Sequence, residues 1–219
     1  MKKKIFIACD TKNLTKVKKI INHSKTSKIK IGYKFGLEFM NSKNGRKFLS
    51  LLRNKIIFVD LKLNDTVNTM ISAVKALKDL KIDYLTVHIS SGLAALKAVK
   101  KVSGSTKIIG VTTLTSLNNN DLKLIGYNKS VKNLVMHQAK IAKKAALDAL
   151  VCSPHEVSGV RKIFKKEIIT PGVQIGKRNY DQKRSMEAKN VKSDWLVIGR
   201  AITRGNIKKN IENLAKELR

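Results

Sequence analysis

Lys4-Ile5-Phe6-Ile7-Ala8-Cys9-Asp10-Thr11-Lys12 opens the regular pattern of the chain and decides between the two architectures the rest would fit. Its short apolar, β-rich run reads as a buried strand. The residues that follow are Asp10-Thr11-Lys12, where a doubly wound sheet often has a glycine-rich first turn. Outward from this stretch, strand candidates continue at Lys28–Gly32, Lys55–Leu61, Asp83–Ile89, Lys107–Thr112, Ala149–Cys152, Glu167–Thr170 and Trp195–Ile198. Amphipathic helical stretches alternate with them: Leu14–His23, Gly45–Arg53, Asn68–Leu80, Gly92–Lys101, Ser130–Leu147, Pro154–Phe164, Gln182–Ala188 and Asn206–Leu218. Asp65 or Thr66 suits the cap of the third helix. Ser153 suits that of the sixth, with Pro154 in the first turn. Eight strand–helix units without a break in composition predict an α/β protein, a (β/α)8 TIM barrel forming a single domain over residues 1–219.

The composition agrees with one folded core: 219 residues, 42% hydrophobic and 28% charged, with only 2 Pro and 12 Gly. The 46 basic residues against 15 acidic ones give a net charge of +31. Basic pairs recur along the chain (Lys18-Lys19, Lys100-Lys101, Lys143-Lys144, Lys165-Lys166, Lys208-Lys209) on helical faces expected to meet water. Aromatics for base stacking are only 5%. The charge is therefore read as a solvated surface that attracts anionic ligands, with any nucleic-acid contact non-specific. Cys9 and Cys152 are too few for a disulfide framework or a zinc cage. The basic head Met1-Lys2-Lys3-Lys4 precedes an apolar run that stops at Asp10, which reads as a strand and not a signal peptide. No apolar run reaches the ~18 residues of a membrane span, so a soluble, cytoplasmic protein is expected, without a membrane partner.

A barrel carries its chemistry at the C-terminal ends of the strands. The polar residues expected there are Asp10, Lys30, Asp60, Lys62, His88, Thr115 and Gly199-Arg200. The third strand reads Ile56-Ile57-Phe58-Val59-Asp60-Leu61-Lys62-Leu63-Asn64-Asp65, and alternation puts Ile56, Phe58, Asp60 and Lys62 on one face. An acid and a base are thus stacked at the mouth, above two large apolar residues. An arbitrary D-x-K would be a surface ion pair worth ~0.2–1 kcal/mol. A buried strand that ends in opposite charges suggests a use, and a buried Lys can have its pKa tuned for proton transfer. The same parity turns Lys30 and Gly32 inward on the second strand and Phe6, Ala8 and Asp10 on the first.

These residues resemble the orotidine 5′-phosphate decarboxylase family over nearly the whole chain. The resemblance rests on Asp10 after an apolar strand, Lys30-Ile31-Gly32, Asp60-Leu61-Lys62-Leu63-Asn64-Asp65 and Asn68-Thr69. It continues through Val87-His88, Leu114-Thr115-Ser116, Thr170-Pro171-Gly172-Val173, Asp181-Gln182 and Ile198-Gly199-Arg200-Ala201-Ile202-Thr203. D-x-K-x-x-D is shared with sugar-phosphate decarboxylases and synthases of the wider suprafamily. Those carry an acidic metal ligand on the second strand, a position that looks like Lys30 here, which favours the nucleotide enzyme and no metal.

The resemblance implies cofactor-free decarboxylation of orotidine 5′-phosphate to UMP, the last step of pyrimidine synthesis. Lys30, Asp60, Lys62 and Asp65 would form a catalytic Lys-Asp-Lys-Asp network, with Lys62 protonating C6 of the pyrimidine. Asp65 and Thr69 would reach the site across a homodimer interface. Asp10 and Thr69 would contact the ribose and Thr115 the base. Gly199 and Arg200 would hold the phosphate, and Gln182 matches a substrate-binding glutamine of the family. Gln174 stands where relatives often carry Arg, in the loop Gly172–Tyr180. Thr66-Val67 replace the family's usual Ile-Pro after Asp65, which implies a looser carboxylate pocket or dimer contact.

Two readings of His88 remain side by side, a hydrogen bond that orients Asp60 and a merely satisfied core histidine. His23, His137 and His155 read as surface or packing residues. No ligand-spaced cluster supports a metal, and Ser116 and Ser153 lack a partner set for a nucleophilic triad.

Overall fold

Eight parallel strands close into a ring in the computed structural model, which describes residues 4–174 and 186–218 and all of their side chains except those of Gln174 and Met186. The strands are β1 (Lys4–Ala8), β2 (Lys30–Gly36), β3 (Ile56–Leu63), β4 (Tyr84–His88), β5 (Lys107–Val111), β6 (Ala149–Val151), β7 (Glu167–Thr170) and β10 (Trp195–Ile198). A small parallel pair, β8 (Val173–Gln174) and β9 (Met186–Glu187), lies in the connection between the last two. Around the ring the order is β1-β10-β7-β6-β5-β4-β3-β2, with β2 returning to β1.

Helices pack outside the ring: α1 (Leu14–His23), α2 (Leu37–Met40), α3 (Gly45–Leu51), α4 (Val67–Ala76), α5 (Leu93–Val102), α6 (Asn119–Leu124), α7 (Val131–Lys144), α8 (Val157–Ile163), α9 (Arg200–Thr203) and α10 (Ile207–Glu217). Each longer helix buries one apolar stripe against the strands, Val17, Ile20 and Ile21 on α1 and Ile207, Ile211 and Leu214 on α10. The paired lysines largely fall on the opposite faces; Lys18, Lys19, Lys143, Lys144, Lys208 and Lys209 are exposed.

Alternation along the strands gives the barrel two cores. Ile5, Ile7, Ile57 and Val59 pack outward against helices. Phe6, Ala8, Phe58, Tyr84, Ile109, Ile169 and Trp195 fill the interior. Phe6 stacks on Trp195 at 4.1 Å between centroids and meets Phe58 and Tyr84 edge-on at 5.0 and 5.3 Å. Gly32 is required here, because a Cβ at that position would lie 2.6 Å from the Phe6 ring. Below this layer Glu167 accepts hydrogen bonds from Tyr84 Oη (2.9 Å), Lys107 Nζ (3.1 Å) and Trp195 Nε1 (3.2 Å), sealing the N-terminal face.

A repeated device fixes the strand entries. Asp83, Asp148 and Asp194 each precede a strand, and each carboxylate accepts the backbone N–H of a neighbouring strand, from Ile57, Ile108 and Ile168 at 2.7, 2.8 and 2.7 Å. Lys100 and Arg161 pair with the second and third of these aspartates.

Three expectations change. The second strand runs Lys30–Gly36 rather than Lys28–Gly32, because Lys34 interrupts an apolar run only in sequence: it points into the barrel while Tyr33 and Phe35 are buried outside. The helix expected at Gln182–Ala188 is instead β9 followed by a 3-10 turn, Ala188–Asn190, in its described part; residues 182–185 lie outside the described residues. Thr66 is the N-cap residue of α4 by position, but its side chain makes no capping bond.

Candidate active site

The C-terminal mouth of the ring opens into a cavity of about 380 Å³ whose walls include Asp10, Lys34, Asp60, Lys62, Thr115 and Arg200. Such a size suits a small organic ligand. Phe58, Val111, Val151 and Val197 form an apolar floor, and Pro171, Gly172 and Gly199 contribute to the rim.

The chemistry centres on Asp60. Its side chain is 12% exposed, and its two oxygens face different cations. Lys62 Nζ lies 2.9 Å from Oδ1 and Lys34 Nζ 3.4 Å from Oδ2. Lys34 also donates to Asp10 Oδ1 at 2.9 Å. The result is an alternating chain Asp10–Lys34–Asp60–Lys62 across three strands. Burial alone would raise the Asp60 carboxyl, but the Lys34 and Lys62 ammoniums, with hydrogen bonds from Lys62 and Thr86, hold it below the ordinary carboxylate value. Burial alone would likewise depress Lys34, and the Asp60 and Asp10 carboxylates keep it above the ordinary lysine value. Asp60 and Lys34 are thus both held charged at neutral pH.

Local backbone places these groups. β3 shifts register against β4 between Val59 and Leu63: Val59 pairs with Leu85 and Leu63 with Val87. Asp60, Leu61 and Lys62 therefore stand across from Thr86 alone, and Lys62 takes a left-handed φ of +50°. The Thr86 hydroxyl accepts from Lys62 N at 2.8 Å and donates to Asp60 Oδ1 at 3.0 Å.

Lys30, expected in the network, is not in it. It pairs in register with Lys4 at the opposite end of the ring and is exposed. Lys34 has the same inward parity one residue pair higher than Gly32, beside Ala8 and Phe58, and takes the place assigned to Lys30. Asp10, Asp60, Lys62, Thr115, Gly199 and Arg200 meet at the cavity. Asp65 and Thr69 do not line it. Both are exposed in the segment after β3, where Asp65 accepts from Thr66 N at 2.6 Å and Thr69 Oγ1 lies 3.0 Å from Thr66 Oγ1. Gln182 and the side chain of Gln174 lie outside the described residues. His88 bonds Ser90 Oγ at 3.1 Å rather than Asp60. Burial, and then the Lys62 ammonium, hold its imidazole below the ordinary histidine value. Among the described residues no group of three or more His, Cys, Asp or Glu could hold a metal, and no helix is long and apolar enough to cross a membrane.

The profile of the orotidine 5′-phosphate decarboxylase / HUMPS family matches residues 3–212. The chain belongs to this family. Orotidine 5′-phosphate decarboxylase of Wolbachia sp. subsp. Brugia malayi is 39% identical over 219 residues, covering 96% of both chains. That of Buchnera aphidicola subsp. Acyrthosiphon pisum is 38% identical over 212 residues, 91% of this chain and 89% of the relative. Among solved structures, orotidine 5′-phosphate decarboxylase from Lactobacillus acidophilus superposes with a TM-score of 0.84 at 28% identity, covering 99% of each chain. The Methanocaldococcus jannaschii enzyme, complexed with inhibitor BMP, shares the fold at a TM-score of 0.81 and 22% identity, over 100% of this chain and 99% of that one. The family is one of carboxy-lyases.

Proposed function

We propose that this protein decarboxylates orotidine 5′-phosphate to UMP and carbon dioxide, in the cytoplasm and as a homodimer, and that Lys62 delivers the proton to C6. The observation that carries this reading is one carboxylate, Asp60, fixed between two ammoniums on the wall of the cavity at the barrel mouth. The substrate carboxylate would lie against Asp60. Two like charges ~4 Å apart repel by roughly 4 kcal/mol at an effective dielectric near 20, well short of the ~8–23 kcal/mol by which enzymes lower barriers. The larger share comes from the Lys62 ammonium, held in place before the reaction and facing the carbanion as carbon dioxide leaves. Lys62 Nζ then transfers its proton to C6, forming the C–H bond of UMP, and regains one from water.

Arg200 and Gly199 at the rim would receive the phosphate. Binding energy from that remote group helps hold a closed, water-poor site. Asp10 would contact the ribose and Thr115 the base. Asp65 would complete the network from a partner subunit, which agrees with the exposure of the whole segment Asn64–Thr69 and of Val67 at 38%. The single domain then works as half of a two-site unit.

Conversion is followed by the fall in absorbance as orotidine 5′-phosphate becomes UMP. Turnover that survives a chelator and vanishes in Lys62→Ala supports the reading, and no turnover by the purified wild-type dimer overturns it. Co-expressing Lys62→Ala with Asp65→Asn tests the shared site. Each is inactive alone, but mixed dimers carry one intact site, so about a quarter of wild-type sites return; no recovery removes Asp65 from the partner's site.

A further inference from the structure

We propose that Thr86 is a positioning residue for the reaction: its hydroxyl locks the Lys62 main chain to the carboxylate that the Lys62 side chain also grips. The proposal rests on the decarboxylase reading and adds to its Lys62–Asp60 pair the Thr86 hydroxyl. Thr86 is fully buried on β4. Its oxygen accepts the Lys62 N–H at 2.8 Å, so its own proton is directed to Asp60 Oδ1 at 3.0 Å. Lys62 Nζ reaches that same oxygen at 2.9 Å. The atoms close a ring, Lys62 N to Thr86 Oγ1 to Asp60 Oδ1 to Lys62 Nζ, that contains both ends of the lysine.

The ring lies where the backbone needs holding. Lys62 sits at φ +50° in the segment where β3 and β4 lose register, a left-handed conformation that strains a non-glycine residue. Three β3 residues face Thr86 there, and its hydroxyl ties the first and last of them, Asp60 and Lys62, to β4. Without it the Lys62 amide loses this acceptor and Asp60 one of its donors. The lysine could then relax toward ordinary strand geometry, swinging Nζ away from the cavity. Since a fixed ammonium must face the carbanion, an ångström of movement is enough to matter. Valine at this position would keep shape and β-branching while removing only the hydroxyl, and serine would keep the hydroxyl.

The test compares Thr86→Val and Thr86→Ser with wild type in steady-state kinetics, pH profile and amide NMR. Thr86→Val is expected to fold, to lose roughly 10- to 100-fold in kcat with KM within about threefold, and to shift the acid limb of kcat/KM upward as Asp60 loses a donor. Thr86→Ser is expected to restore kcat to within about threefold of wild type. Independently of activity, the Lys62 amide should exchange with solvent at least about tenfold faster in Thr86→Val than in wild type. A Thr86→Val protein with wild-type kcat, acid limb and Lys62 exchange overturns the proposal, as does loss in Thr86→Ser equal to that in Thr86→Val. If wild type shows no turnover, the decarboxylase reading fails by itself, and the exchange rates still decide whether Thr86 holds Lys62.

Discussion

Replacing Lys34 and Lys30 in turn separates the site seen in the structure from the one expected on the second strand. Lys34 Nζ lies 2.9 Å from Asp10 and 3.4 Å from Asp60, on a side chain only 12% exposed. Lys30 is exposed, four residues and about 13 Å away along the strand, at the other end of the ring. Lys34→Ala leaves Asp60 with Lys62 as its one cation among the described residues and Asp10 without its ammonium. A charge pair ~4 Å apart is worth roughly 4 kcal/mol at an effective dielectric near 20, and removing one partner of a buried pair typically costs ~3–5 kcal/mol. If that loss falls on the transition state, kcat/KM drops by roughly a hundredfold to several thousandfold; any share that falls on folding lowers the thermal midpoint instead. Lys30→Ala is a surface change, expected within about 0.5 kcal/mol in stability and about twofold in activity. Initial rates of absorbance loss with orotidine 5′-phosphate, alongside thermal melts, read both. A crippled Lys30→Ala with a near-normal Lys34→Ala would refute the reasoning.

Further consequences follow from the same geometry. The Asp60 carboxyl lies below its ordinary 3.8, so its contribution to stability is full above that pH and lost as pH falls through the folded-state value. Lys34 lies above its ordinary 10.5, so its contribution is full below that pH and lost as pH rises through the folded-state value. Thermal midpoints against pH should decline at both ends, and Asp60→Asn should soften the acid decline; an unchanged acid limb would contradict this. Burial pushes the Cys9 thiol up to about 12 and raises Cys152 as well. A thiol reagent at pH 8 should therefore find neither cysteine in the native protein and both after denaturation, since the thiolate is the nucleophile. Gly32→Ala drives a Cβ to within 2.6 Å of a Phe6 ring already stacked on Trp195, and should cost ~1–3 kcal/mol by denaturant unfolding.

Much of the barrel was legible because its strands are short apolar runs of one period and its helices carry clear apolar stripes. Asp60 and Lys62 were legible through parity, since Ile56 and Phe58 on the same face announce the interior. The second strand misled because two glycines offer ends to it. Gly32 looked like a terminus, whereas it is the gap that admits the Phe6 ring, and the strand continues through Lys34 to Gly36. A lysine between Tyr33 and Phe35 reads as punctuation in one dimension and as an inward charge in three. Thr86 gave a weaker signal. Its inward parity with Tyr84 and His88 was visible, but the shift of register that brings it against both Asp60 and Lys62 exists only once β3 and β4 are paired. His88, the more conspicuous titratable neighbour, turns to Ser90 instead. The three aspartates that begin strands were hidden for the same reason, their partners being backbone amides 26 to 40 residues away.

The most direct test of Lys62 as proton donor is the product formed in heavy water. Wild-type protein turning over orotidine 5′-phosphate should release UMP carrying one deuterium at C6, read by mass spectrometry and proton NMR, while Lys62→Ala releases essentially none over the same interval. UMP formed by Lys62→Ala at the wild-type rate would contradict the account.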